Sequence, residues 1–260
     1  MKAPVSFRLF KREDIPFGMK LKRIAGWNQL PADWERFLTL EPEGCFVAEL
    51  GDNSKESVGT VTTTTYELRF GWVGMVLVPP EQRRKGIGTA LLMRAIEYLE
   101  QKGVESVRLD ATPMGKQLYD SIDFHDEYHL ERVQGCGQAM TFENVGPMMA
   151  KDISEVAVYD EPRFGAPRRL MLEQLYSQAP DLCFVARNQA GLSGYLMARP
   201  GEDAWQIGPW TADDPETGEQ LLRTGLNALG DRPVFMDILS EHPTTPDTVK
   251  TYGFASQRPF

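Results

Sequence analysis

The chain has 260 residues, 42% of them hydrophobic, and a formal net charge of −9. That is length for two domains of ordinary size, the acidic balance argues against general nucleic-acid binding, and no run approaches the ~18 apolar residues a membrane span needs. Residues 1–8 lack the apolar core of a secretory signal, and three cysteines without paired metal-type spacing point to reduced thiols and a cytoplasmic setting.

In chain order, helices carrying Trp27 and Trp34 come first. Two strands follow, one through Cys45-Phe46-Val47-Ala48 and one through Val58-Gly59-Thr60-Val61, and Cys45 reads as core filling rather than a nucleophile. Residues 72–78 form an apolar strand. Beyond it stands Arg83-Arg84-Lys85-Gly86-Ile87-Gly88-Thr89, after which Leu91, Leu92, Ala95, Ile96 and Leu99 recur at helical spacing until Gly103 stops the helix. A strand, a loop with two glycines and a helix N-terminus gather main-chain N–H groups and the positive end of a helix dipole around one anion. Two other glycine loops are excluded by spacing: a Walker loop ends Gly-Lys-Ser/Thr, and a dinucleotide fingerprint has glycine or alanine where Leu91 stands. Residues 104–110 alternate as a strand with Val107 and Leu109 on one face. The next helix carries Tyr119 and closes at Asp123-Phe124, where a positive φ is expected and aspartate tolerates it better than most side chains. His125 and His129 fall in a segment read as strand and hairpin, which separates them by more than ~10 Å at ~3.3 Å per residue, so no metal is expected there.

The pattern then repeats. Cys45-Phe46-Val47-Ala48 is echoed by Cys183-Phe184-Val185-Ala186, Val58-Gly59-Thr60-Val61 by Ser193-Gly194-Tyr195-Leu196, and Trp72-Val73-Gly74 by Trp205-Gln206-Ile207-Gly208. Arg108-Leu109-Asp110 finds Phe235-Met236-Asp237, and Asp123-Phe124 finds Gly253-Phe254. Two copies of one fold account for this order. The boundary is expected between Gly135 and Gly146, giving domains over 1–140 and 146–260. Each copy should run helices, strand meander, strand, helix, strand, helix and a final hairpin, an α/β protein on two mixed sheets. Where the first copy has its basic glycine loop, the second reads Pro209-Trp210-Thr211-Ala212-Asp213-Asp214-Pro215-Glu216, and carboxylates there repel a polyanion. One active site per chain is therefore expected.

The loop Arg83-x-x-Gly86-x-Gly88 after a Val-x-Pro strand end resembles the coenzyme A loop of the GNAT superfamily of N-acetyltransferases. The tyrosine four residues before Asp123-Phe124 resembles the superfamily's next helix, with aspartate in place of the usual glycine. Gly26-Trp27-Asn28, Trp34, Gly165 and Ile207-Gly208-Pro209-Trp210 extend the likeness over nearly the whole chain, toward bacterial tandem acetyltransferases with a degenerate C-terminal GNAT-like domain. The resemblance implies two tandem GNAT-like domains, each a mixed, mostly antiparallel sheet flanked by helices, and acetyl-coenzyme A as cosubstrate without a metal.

It also implies roles. Residues 75–78, chiefly Leu77 and Val78, would offer main-chain N–H groups to the thioester and pantetheine arm, and Arg83, Arg84, Lys85, Gly86, Ile87, Gly88 and Thr89 would hold the pyrophosphate. Tyr119 would be the general acid for the departing thiolate, its other reading being a core tyrosine. An alkylammonium has a pKa of about 10.4, so an amine acceptor must lose a proton. Glu67 and Asp110 are the carboxylates nearest in sequence to the cofactor strands; Asp110 has a second reading as a helix cap, and a water chain can replace either. The acceptor is expected to be a small-molecule amine, with protein N-termini or lysines as the alternative and an acyl group other than acetyl left open, and Trp27, Trp72, Trp205 and Trp210 are pocket walls or ordinary core. The second copy would be a scaffold, a pocket wall or a homodimer surface. A coenzyme A-binding sensor without turnover is the alternative, and Tyr119 discriminates, since a pure binder needs no general acid.

Overall fold

A computed structural model of the chain describes residues 5–51, 56–136 and 144–259. It divides into two compact units, Met1–Asp110 and Ala111–Phe260.

The first unit holds a five-stranded sheet of β1 (Val5–Leu9), β2 (Phe46–Leu50), β3 (Glu56–Tyr66), β4 (Phe70–Leu77) and β5 (Val107–Leu109), in that spatial order. The first four are antiparallel neighbours; β4 and β5 run parallel. Between β1 and β2 lie α1 (Ile15–Ile24) and α2 (Pro31–Leu40), and α3 (Ile87–Lys102) connects β4 to β5. Each helix has a local reason to begin or end where it does. Pro31 opens α2, with the Asp33 carboxylate accepting from the Leu30 amide at 2.7 Å, and Gly103 closes α3 in a left-handed conformation, φ 80°.

One sheet face buries Phe10, Ile15, Met19, Leu21, Trp34, Cys45, Val47, Met75 and Leu77 together, with Phe10 stacked on Trp34. The other face receives α3, whose Leu91, Leu92 and Leu99 are fully buried, each contributing about 1.5–3 kcal/mol. Glycines let α3 lie close: a Cβ at Gly71 would stand 2.5 Å from Leu99 Cδ2, and one at Gly59 2.7 Å from Leu91 Cδ1. Buried Glu41 ties the helix end to the sheet, accepting hydrogen bonds from Lys102 Nζ at 2.7 Å and from the Tyr98 and Thr65 hydroxyls.

The second unit contains a seven-stranded sheet in the order β12-β6-β11-β10-β9-β8-β7. Its strands are β6 (Leu130–Cys136), β7 (Val145–Pro147), β8 (Cys183–Asn188), β9 (Gly191–Arg199), β10 (Trp205–Ala212), β11 (Pro233–Leu239) and β12 (Ala255–Pro259). The helices are α4 (Pro113–Asp120), α5 (Ile153–Phe164), α6 (Arg169–Gln178), α7 (Pro215–Leu229) and α8 (Thr245–Thr251). The predicted final hairpins do not form. Instead β6, which falls at the end of the first repeat in sequence, lies between β11 and β12 and pairs antiparallel with both, so it satisfies the main chain of two strands of the second repeat. This is why compactness divides the chain at Asp110–Ala111, while the expected boundary stretch includes residues 137–143, outside the described residues. The segment read as strand over 125–129 is irregular up to Leu130; it is polar and exposed, and His129 Nδ1 sits 2.7 Å from Glu241 Oε1. Trp205 and Trp210 pack against the second unit's core and Trp27 against the first's. Among the described residues no helix is long and apolar enough to cross a membrane.

Candidate active site

The site begins with two irregularities in β4. Thr62 pairs with Gly74 and Thr60 with Leu77, so Met75 and Val76 together face Val61, a bulge of two residues against one. Met75 takes φ 51°, and its carbonyl accepts from Thr60 Oγ1 at 2.9 Å. On the other edge, pairing with β5 covers only Gly71, Trp72 and Val73. Past Val73 that edge of β4 carries no ladder among the described residues, and Leu77 and Val78 lie on the stretch that leaves it.

The loop that follows curls tightly. Arg84 (φ 58°) and Gly86 (φ 86°) are left-handed, which Gly86 adopts without the steric cost a side chain brings. Gly86 caps α3 with no side-chain hydrogen bond, the first helical turn has no acidic residue, and the helical ladder starts with the Ala90 amide donating to Gly86 O at 3.0 Å. The amides of Ile87, Gly88 and Thr89 precede that ladder and point out of the helix end. Ile87 is a core residue by its side chain and belongs to the cradle only through its amide. Arg83 Nε donates to Val78 O at 3.1 Å and Lys85 Nζ to Gln82 Oε1 at 2.8 Å. A phosphate group suits such a turn.

The structure brings Asp110 to this region and not Glu67. Asp110 follows the Val73–Leu109 pair at the carboxyl end of β5, level with the start of the bulge. Glu67 lies in the exposed turn between β3 and β4, φ 52°, at the opposite end of β4, a strand of roughly 23 Å. Nearness in sequence misled because a hairpin turn sits at the end of the sheet away from the next loop.

Tyr119 lies in α4. Its ring packs 6.1 Å from that of Phe124 and so close over Gly115 that a Cβ there would meet Cε2 at 2.7 Å. The Phe124 amide donates to Tyr119 O at 3.2 Å, and Asp123 has φ 64°, the left-handed turn expected of it. Burial pushes the Tyr119 hydroxyl above its ordinary 10.0. Thr112, not Asp110, is the N-cap residue of α4.

The second repeat has a counterpart of each feature, built differently. Its bulge sets Gly208 and Pro209 against Met197, and proline has no N–H to offer. The N-terminus of α7 is capped by its own Asp214, whose carboxylate accepts from the Thr217 amide at 2.9 Å, and Asp213 holds Arg163 and Tyr159. Asp237, the counterpart of Asp110, is gripped by Arg132 through two hydrogen bonds of 2.7 Å. Val249 takes the place of Tyr119, its carbonyl accepting from Phe254 N at 3.1 Å as Tyr119's does from Phe124.

Two family models match the chain in tandem, one described as an acetyltransferase (GNAT) family over residues 14–125 and one as an acetyltransferase (GNAT) domain over 156–259. The chain belongs to the GNAT superfamily of N-acetyltransferases. A holothin acyltransferase of Pseudoalteromonas sp. (strain SANK 73390) is 27% identical over 202 residues, 77% of this chain and 67% of the relative. The N-acetyltransferase YitH of Bacillus subtilis (strain 168), described as uncharacterized, is 29% identical over 192 residues, 72% of this chain and 66% of its own length. The chain thus spans about two thirds of each relative. In fold it is similar to a putative acetyltransferase from Pyrococcus horikoshii, TM-score 0.82 at 24% identity over 98% of this chain and 86% of that one. A tandem GNAT protein from the clavulanic acid biosynthesis pathway gives TM-score 0.69 at 13% identity, over 98% and 96%. As a tandem GNAT protein the chain is an N-acyltransferase, with two mixed, mostly antiparallel sheets flanked by helices.

Sequence reading missed Thr60, Arg132 and the bulge. A run of five threonines among residues 60–65, four of them buried, is a signal for the first, since buried hydroxyls need partners.

Proposed function

We propose that the chain transfers an acetyl group from acetyl-coenzyme A directly to a primary amine in a ternary complex. The observation that carries this is the contrast between α3 and α7: one helix N-terminus has uncapped amides and a left-handed loop, the other is closed by its own carboxylate. The coenzyme supplies the activated acyl group. The amides of residues 86–89 would hold its pyrophosphate, and those of Leu77 and Val78 its arm and the thioester oxygen as charge develops there. Asp110 is the base that takes the ammonium proton, directly or through water. Tyr119 is the acid that protonates the departing thiolate; its raised pKa keeps the proton on the phenol at neutral pH. The working copy is residues 1–140, and 146–260 is the degenerate copy. A small-molecule acceptor is in keeping with a relative named for acyl transfer to holothin.

The test is calorimetric titration of acetyl-coenzyme A and coenzyme A, followed by thiol release against a panel of amines. One site per chain and release with some amine is the expected result. No binding would overturn the reading of the loop, and binding without release from any amine would favour a coenzyme sensor.

A further inference from the structure

The β4 bulge has to be held by something. In a regular antiparallel ladder a carbonyl at this position meets a cross-strand amide, but two residues against one leaves a main-chain group without that partner. Met75 is also left-handed, a conformation side chains other than glycine's rarely keep without support. The support is specific. Thr60 is fully buried, and its Oγ1 donates to Met75 O at 2.9 Å, replacing the missing ladder bond with a side-chain one.

Burial of threonine alone does not explain this contact. Thr62, two residues along the same strand and 1% exposed, has a buried hydroxyl with no partner. The second repeat supplies the comparison. Tyr195 stands where Thr60 does, each paired with the valine of the preceding strand, Thr60 with Val47 and Tyr195 with Val185. The Tyr195 hydroxyl turns away to Asp160, and the bulge of that copy lies one residue further along, opposite Met197, where it carries Pro209. The copy without a usable cradle has neither the amide nor the latch.

We propose that Thr60 is a positioning residue for acyl transfer. Its hydroxyl latches the Met75 carbonyl, fixes the bulge and so aims the main-chain amides that follow, at Leu77 and Val78, toward the coenzyme arm. The inference rests on the function proposed above and adds a residue that never touches the coenzyme. Removing the latch lets Met75 relax toward regular strand geometry and turns those amides away.

The experiment compares wild type with Thr60→Val, Thr60→Ser and Thr62→Val by calorimetric titration of coenzyme A, with thermal unfolding of each and KM and kcat for acetyl-coenzyme A. Thr60→Val should weaken coenzyme binding about tenfold, the scale of one buried hydrogen bond. It should raise KM by more than it lowers kcat. Thr60→Ser keeps the hydroxyl and should restore affinity to within about twofold, while Thr62→Val should bind as wild type does. If Thr60→Val does not fold, Thr60→Ser against Thr60→Ala makes the same comparison. Equal binding by folded Thr60→Val and wild type overturns the latch, as does a loss in Thr60→Ser as large as in Thr60→Val. Failure of the wild type itself to bind would be seen before any substitution, and would overturn the proposed function together with the latch.

Discussion

Gly88→Ala should move stability and binding in opposite directions. Gly88 is the second residue of α3, has no left-handed φ, and a Cβ built on it meets only Val78 Cγ2, at 3.8 Å, an ordinary contact. The protein without ligand therefore accepts alanine, and the gain in helix propensity is roughly 0.5–1 kcal/mol. For a unit of this size that is a rise of about 2–4 °C in Tm. The methyl group would stand at the outward-facing helix end where a phosphate must approach the amides. Losing one charge-assisted hydrogen bond costs about 1.5–3 kcal/mol, a factor of ~10–100 in Kd. Differential scanning calorimetry of the free protein and titration with coenzyme A read the two effects separately. A variant that binds coenzyme A as tightly as wild type would refute the argument that this position is small so that a phosphate can reach the main chain.

Tyr119→Phe should leave coenzyme affinity unchanged and lower turnover at least tenfold, the low end for loss of a general acid. Because burial raises the hydroxyl's pKa above 10.0, the phenol stays protonated below that pH. Unchanged turnover in Tyr119→Phe would remove Tyr119 from the mechanism. Burial raises the Glu41 pKa, but Lys102, Thr65 and Tyr98 more than offset this and hold it below the ordinary 4.5. Its stabilisation is therefore present above pH 4.5 and lost as pH falls through the lower native value. Glu41→Gln should cost about 1–3 kcal/mol at pH 7 and flatten the acid limb of a Tm-against-pH curve; an unchanged limb would remove Glu41 from it. Burial pushes the Cys45 and Cys183 thiols up to about 12, so neither forms thiolate at pH 8. A disulfide-exchange reagent should titrate only exposed Cys136 in the native protein and all three cysteines after unfolding; reaction of Cys45 or Cys183 in the folded state would refute it.

Residue types and spacing were enough to determine the local features. The strand–loop–helix around Gly86 and Gly88, the left-handed stop at Gly103, the turn at Asp123 and the doubled order of elements all depend on what a residue and its near neighbours allow, and all were legible. Tertiary pairing decided the rest. Glu67 and Asp110 read alike along the chain, yet β4 carries one to the far end of the sheet and β5 brings the other beside the bulge. The hairpins expected after Phe124 and Phe254 give way to β6 lying between β11 and β12, since any strand with a matching edge can satisfy a main chain, and sequence order does not say which one will. Thr60 stands in a run of threonines that look interchangeable. Only the one-residue slip between β3 and β4 gives its hydroxyl a carbonyl to hold and leaves Thr62 without one, because register is set by how two strands pack, and neither strand encodes it alone.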